Sequence, residues 1–218
     1  MWVKICGITS EEDALLAVAM GADAVGFVFA PSPRQMSPNA VAAITRRLPR
    51  EICTVGIFRD EEPKRIVDTV NLAGLDAAQL HGTESFEDCG YVSVRVPIVI
   101  KAFSAGDDRL ARAAEYGADI VLVDSPSPGS GKVFDWRLAE GAPKGRRLVL
   151  AGGLDPANVG EAIRTVHPWG VDVSTGVEAA VGKKDASRVR AFVQAARAAE
   201  PEPYDSDDTG PYDWQVDG

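Results

Sequence analysis

Short apolar runs alternate with amphipathic stretches along nearly the whole chain. Residues 3–8 (Val3-Lys4-Ile5-Cys6-Gly7-Ile8), 24–29, 53–58, 77–82, 98–103, 120–124, 148–153 and 170–174 each read as a buried strand ending in glycine or polar residues. Between them lie helix signals. Thr9-Ser10-Glu11-Glu12-Asp13 and Ser37-Pro38 are start signals, while Glu62-Pro63 opens a stretch that Gly74 closes. Gly21 stops the first helix, Asp155-Pro156 predicts another with an acid cap and a first-turn proline, and a last helix is expected over about 186–199. Strands apolar on both faces belong to parallel sheets covered by helices. Eight nearly equal strand–helix units predict an α/β chain folded as a single closed (β/α)8 TIM barrel over residues 1–199. An open doubly wound sheet is the alternative, but no G-x-G-x-x-G follows the first strand.

Bulk properties narrow the class. With 218 residues, 45% hydrophobic and 25% charged, the chain suits one soluble domain with a sizeable core. No apolar run is long enough to span a bilayer and no signal segment opens the chain. Cys6, Cys53 and Cys89 are too few and too scattered for a disulfide framework or a zinc site, so a cytoplasmic location is expected. The net charge of −9 is concentrated at one end. Seven acids and no Lys or Arg lie after residue 199, so residues 200–218 are expected to be a disordered acidic tail. That distribution argues against a nucleic-acid surface.

In a parallel barrel, chemistry collects at the carboxyl ends of the strands. The polar residues expected there are Lys4, Cys6, Arg34, Arg59, Asp60, His81, Lys101, Asp124 and Asp172. Gly152-Gly153 and Thr175-Gly176 follow strands 7 and 8, where barrel enzymes commonly hold phosphate on backbone N–H groups. Cys6 and Asp124 end strands on roughly opposite sides of the ring. A thiolate there could remove a proton while a carboxylic acid protonates a leaving oxygen across from it. Arg34, a fork of donors at the barrel mouth, suits a carboxylate or phosphate. His81 reads as a hydrogen-bonded rim residue and His167 as a helix-end residue. No His, Cys or Asp cluster has metal-ligand spacing, so neither metal nor cofactor is expected.

Several segments carry a family resemblance. Lys4-Ile5-Cys6-Gly7-Ile8-Thr9, Gly26-Phe27-Val28-Phe29 with Ser32-Pro33-Arg34, and Gln79-Leu80-His81-Gly82 resemble phosphoribosylanthranilate isomerase of tryptophan biosynthesis. So do Gly129-Ser130-Gly131-Lys132-Val133-Phe134-Asp135-Trp136, Leu150-Ala151-Gly152-Gly153-Leu154 and Gly170-Val171-Asp172-Val173-Ser174-Thr175-Gly176-Val177-Glu178. The resemblance runs in order over residues 2–196. It implies an Amadori rearrangement of N-(5-phosphoribosyl)anthranilate to 1-(2-carboxyphenylamino)-1-deoxyribulose 5-phosphate. Cys6 would be the general base and Asp124 the general acid. Arg34 would bind the anthranilate end, with His81 and Asp172 also touching substrate. Gly152, Gly153, Thr175 and Gly176 would bind phosphate. The only partner implied is this small phosphorylated substrate, on a monomer or homodimer, with no nucleic acid or membrane.

Two positions depart from the family pattern. Pro128 stands where a glycine is usual, which would stiffen that loop, and Thr175 replaces a common Ser while keeping the hydroxyl. Two other readings compete. A sugar-phosphate isomerase acting on an imidazole ribotide would use two carboxylates, whereas strand 1 here supplies a Cys. A non-catalytic metabolite sensor would not need Cys6 and Asp124 together.

Overall fold

The computed structural model describes residues 1–125, 136 and 145–200; Pro128, the Gly129-Ser130-Gly131 loop and the acidic tail beyond residue 200 lie outside the described residues. Eight parallel strands close into one barrel in sequence order: β1 (Trp2–Cys6), β2 (Ala24–Val28), β3 (Cys53–Phe58), β4 (Ala77–Leu80), β5 (Ile98–Ser104), β6 (Ile120–Asp124), β7 (Arg147–Leu150) and β8 (Gly170–Val173). Closure is made by β1 against β8, with Lys4 opposite Asp172 in the register. That pairing rules out the open doubly wound sheet.

Helices α1 (Glu11–Ala19), α2 (Pro38–Thr45), α3 (Pro63–Ala73), α4 (Phe86–Ser93), α5 (Val159–Val166) and α6 (Ala186–Ala198) follow β1, β2, β3, β4, β7 and the β8 segment. A 3-10 helix at Asp108–Tyr116 takes the place of an α-helix between β5 and β6. The caps follow local chemistry. Ser10 accepts from the Asp13 N–H and Ser37 from the Ala40 N–H, each satisfying a donor with no partner inside its helix. Gly74 closes α3 at φ 63°, and His167 ends α5 at φ 50°.

Alternation along each strand builds two cores. Odd-numbered β1 residues Val3 and Ile5 join Val25, Phe27, Val99, Phe103, Val121 and Val123 in the layer between barrel and helices. Their neighbours Cys6, Ala24, Val55, Ile57, Ala77, Ile100, Ala102, Leu122 and Val149 fill the barrel interior. This is the period of two expected of strands buried on both faces. The interior floor is closed by Trp2 stacked on Trp169 at 5.1 Å, with the Arg147 guanidinium 5.2 Å from the Trp169 ring centre. Further polar side chains occur toward the other end.

Two sequence expectations need correction, and one element was not anticipated. Asp155 does not cap a helix; its carboxylate accepts from the Ala157 and Asn158 N–H groups in a turn, and α5 starts only at Val159. The stretch after β8 holds a short hairpin, β9 (Glu178–Ala180) with β10 (Lys183–Lys184), turning at Gly182 with φ 76°. Lys101 does not reach the barrel mouth. It sits between Ile100 and Ala102, which point inward, so it points to the outer layer. There its ammonium donates to Glu84 Oε2 at 2.7 Å and to the carbonyls of Gly82 and Leu80.

Candidate active site

The carboxyl ends of the strands surround a cavity of about 300 Å³. Cys6, Arg34, His81, Asp124, Gly152, Gly153, Asp172, Thr175 and Gly176 all line it, together with Arg59 and Gln79. Most of the residues singled out above therefore share one pocket, while Lys4, Asp60 and Lys101 are not among those lining it. Asp60 instead accepts from the Thr83 N–H and hydroxyl, tying two loops of the rim.

Cys6 is the last residue of β1, and its thiol is buried. Space for it comes from Gly26 on the next strand, where a Cβ would stand 2.9 Å from Cys6 Sγ and 3.1 Å from Lys4 Cε. Burial pushes the thiol above its ordinary value, opposed by the positive charge of Lys4 and reinforced by the Asp172 carboxylate. The other two thiols lie away from the cavity. Burial takes Cys53 up to about 12 and Cys89 up to about 11, and neither lines the cavity.

Lys4 has no solvent exposure, and its ammonium donates to Asp172 Oδ2 at 3.0 Å and Gln79 Oε1 at 2.8 Å. Burial alone would lower it, but the Asp172 carboxylate and Cys6 outweigh that effect and hold it above the ordinary lysine value. Asp172 Oδ1 is buried without a hydrogen-bond partner. Such an oxygen loses water on burial and costs about 1–3 kcal/mol until a donor reaches it. At a cavity wall it is an acceptor set out for a ligand hydroxyl or N–H.

Across the ring, Asp124 ends β6 and is held at both oxygens. Oδ1 accepts from the Ser125 N–H at 2.7 Å, and Oδ2 lies 3.2 Å from His81 Nε2. His81 Nδ1 in turn lies 2.8 Å from Gln79 Nε2. Gly152, at φ 87°, lets the loop after β7 close over this carboxylate, since a Cβ there would stand 2.8 Å from Asp124 Oδ1 and 2.4 Å from the Ser125 nitrogen. The loop after β8 packs as tightly on the same side, for a Cβ on Gly176 would meet the Leu154 carbonyl at 2.0 Å. Gly152, Gly153, Thr175 and Gly176 thus form one continuous glycine-rich wall.

Arg34 crosses the mouth over Gly7, where any side chain would strike its Cδ at 2.6 Å. Its Nε and Nη2 donate to the two oxygens of Glu178 at 2.7 and 2.6 Å. Glu178 also accepts from Lys184 at 3.0 Å. Burial would raise the Glu178 carboxyl, but Arg34 and Lys184 hold it below the ordinary carboxylate value. Arg34 is thereby fixed with one edge turned away from Glu178. Gln79, Glu178 and Lys184 were missed by the sequence reading. Gln79 alone had a local signal, standing two residues before His81 and so on the same side of β4. Among the described residues no cluster of His, Cys, Asp or Glu could hold a metal ion.

Known proteins share both sequence and architecture with this chain. The family model described as N-(5'phosphoribosyl)anthranilate (PRA) isomerase matches residues 3–195. The N-(5'-phosphoribosyl)anthranilate isomerase of Desulforudis audaxviator is 49% identical over 204 residues, covering 90% of this chain and 98% of the relative. A phosphoribosyl anthranilate isomerase crystallised with reduced 1-(o-carboxyphenylamino)-1-deoxyribulose 5-phosphate is 43% identical, with a TM-score of 0.81 over 91% of this chain and 99% of that one. Monomers generated from the dimeric enzyme of Thermotoga maritima superpose with the same identity, score and coverage. An ordered match of this length, on a closed eight-stranded barrel, leaves one assignment: the chain belongs to the N-(5′-phosphoribosyl)anthranilate isomerase family and is an isomerase of tryptophan biosynthesis.

Proposed function

We propose that the chain converts N-(5-phosphoribosyl)anthranilate to 1-(2-carboxyphenylamino)-1-deoxyribulose 5-phosphate, with Asp124 as general acid and Cys6 as general base. The observation that carries this reading is their placement on facing sides of one cavity, the thiol beside a buried ammonium and the carboxyl beside a ring N. Asp124 protonates the furanose ring oxygen, the C1–O bond breaks, and the anilino nitrogen's lone pair forms the C1=N iminium. Cys6 as thiolate then takes the proton from C2, and those electrons reduce the iminium to an enolamine. Tautomerisation moves a proton to C1 and leaves the ketone at C2. No electron leaves the substrate, so the residues present are sufficient for the net reaction.

The remaining lining residues divide the substrate between them. The free edge of Arg34 receives the anthranilate carboxylate, a charge-assisted bond that the Glu178 clamp pre-orients. The unpartnered Oδ1 of Asp172 accepts from a sugar hydroxyl or the anilino N–H. Gly152, Gly153, Thr175 and Gly176 bind the phosphate at the end of β7 and β8. His81 borders the reacting carbons and holds Asp124. Residues 1–199 form the complete catalytic unit. It works as a monomer or homodimer and in the cytoplasm, where its three free thiols stay reduced; among the described residues no helix is long and apolar enough to cross a membrane. The test is direct. Purified protein mixed with freshly made phosphoribosylanthranilate should consume it, read as loss of anthranilate-type fluorescence, and Asp124→Asn should stop the loss. Unchanged consumption by Asp124→Asn would remove Asp124 as the acid.

A further inference from the structure

A chain of side chains joins the two halves of the pocket: Asp172–Lys4–Gln79–His81–Asp124, with links of 3.0, 2.8, 2.8 and 3.2 Å. We propose that Gln79 is a positioning residue that fixes His81 as the tautomer protonated on Nε2, so that His81 donates to Asp124 and cannot accept the proton Asp124 delivers to substrate.

Donors and acceptors must alternate along this chain of side chains. A lysine ammonium only donates, so the Gln79 atom facing Lys4 Nζ is the carbonyl oxygen. The reverse orientation would set NH2 against NH3⁺ in a site without solvent, which no partner could relieve. Lys4 keeps its charge because Asp172 and Cys6 hold it above the ordinary lysine value against the effect of burial. The Gln79 amide must therefore present its NH2 to His81, and NH2 only donates. His81 Nδ1 is then the acceptor, and the ring proton resides on Nε2, facing Asp124 Oδ2. Asp124 Oδ1 is already occupied by the Ser125 N–H.

This arrangement has a consequence for the reaction, and it rests on the reading of Asp124 as the general acid. With the other tautomer, a bare Nε2 would stand 3.2 Å from the acid as a competing base. With the Nε2–H tautomer, the acidic proton of Asp124 has only the cavity side to go to. Once it has left, the carboxylate receives the His81 N–H as a ready donor. The same Lys4 that sets the tautomer borders the Cys6 base, so acid and base are oriented by a single ammonium.

Only two histidines occur in the chain, which makes the tautomer directly readable. Full-length protein labelled with ¹⁵N-histidine should show the His81 ring proton on Nε2. His167→Asn assigns it: His167 is exposed and stands at φ 50°, a conformation Asn accepts. Gln79→Glu offers a carboxylate to both Lys4 and His81, so His81 should become protonated on Nδ1. kcat should fall at least ~10-fold, part of what a well-placed general acid supplies, with KM nearly unchanged. A wild-type His81 protonated on Nδ1, or a Gln79→Glu protein whose His81 spectrum and kcat match the parent, would overturn the proposal. Should Gln79→Glu not fold, the wild-type spectrum decides alone. An Nε2–H ring in a protein that fails to consume phosphoribosylanthranilate would uphold the tautomer and overturn the role assigned to Asp124.

Discussion

Lys4 and Lys101 are both without solvent exposure, both on barrel strands and both paired with a buried carboxylate, yet they serve opposite ends of the protein's business. Lys4 points into the barrel, holds Asp172 and Gln79, and places its charge beside Cys6. Lys101 points outward, where it fastens Glu84 and the carbonyls of Leu80 and Gly82, and so secures the loop that carries His81. Burial of a charge is thus no marker of a site. The direction of the strand position decides, because alternate residues face either the cavity or the helical layer. One lysine borders the Cys6 thiol inside the barrel; the other fastens a loop to the outer layer.

Breaking the inner side of this contrast should have the largest effect. Cys6→Ser replaces an ionisable thiol with a hydroxyl that stays protonated near neutrality, and kcat should fall by roughly two to four orders of magnitude with the melting temperature little changed. Steady-state kinetics beside a thermal scan checks it; activity within a few-fold of the parent would make Cys6 a structural thiol. Breaking the outer side should look different. Lys101→Met strands the Glu84 carboxylate in the wall, at a cost of about 3–5 kcal/mol read from the denaturant midpoint. The protein that remains folded should keep kcat near the parent value, whereas an intact midpoint with a large kcat loss would move Lys101 into the site.

Arg34→Ala tests the mouth of the pocket. Loss of a charge-assisted bond worth about 1.5–3 kcal/mol should raise KM roughly 10- to 100-fold with a smaller change in kcat. Inhibition by inorganic phosphate should persist, since the loops after β7 and β8 are untouched; if phosphate inhibition vanishes instead, Arg34 faces the other end of the substrate. The finest test is the pH profile of Lys4→Met. Burial raises the Cys6 thiol and Lys4 lowers it, so the active thiolate is the minor form at neutrality and kcat/KM should climb with pH. Removing Lys4 takes away the lowering charge and frees the Asp172 carboxylate, which raises the thiol further. The rising limb should then move to higher pH, about tenfold in rate at neutrality for each unit of movement. A limb that stays in place would show that Lys4 does not tune the base.

Much of this site was legible in the linear chain. The alternation of strand and helix signals placed Cys6, His81 and Asp124 at strand ends, and each lines the cavity. Arg34, Asp172 and the glycines of the loops after β7 and β8 do so as well. The failures were of direction and of distance. Lys101 lies on a strand like the others, and nothing in Ile98-Val99-Ile100-Lys101-Ala102-Phe103 says which of its two apolar faces the barrel encloses. The Asp155 cap failed because a short side chain can bond the N–H groups of a turn as readily as those of a helix. Glu178 and Lys184 were invisible because a two-residue turn built the hairpin from a stretch without strand-length periodicity.

What the amino-acid order determined is local: strand and helix alternation, caps, and the residue types available at each strand end. These follow from backbone sterics, turn chemistry and the burial of apolar runs, all of which act over a few residues. What only the tertiary structure decided is who meets whom. Lys4 and Asp172 are 168 residues apart, Arg34 and Glu178 are 144 apart, and Lys4 and Gln79 are 75 apart. Those partners meet because the strands close into one ring, with β1 against β8. Lys4 is without solvent exposure, so its ammonium must find acceptors within the protein, and its protonation state becomes a property of the closed ring of strands.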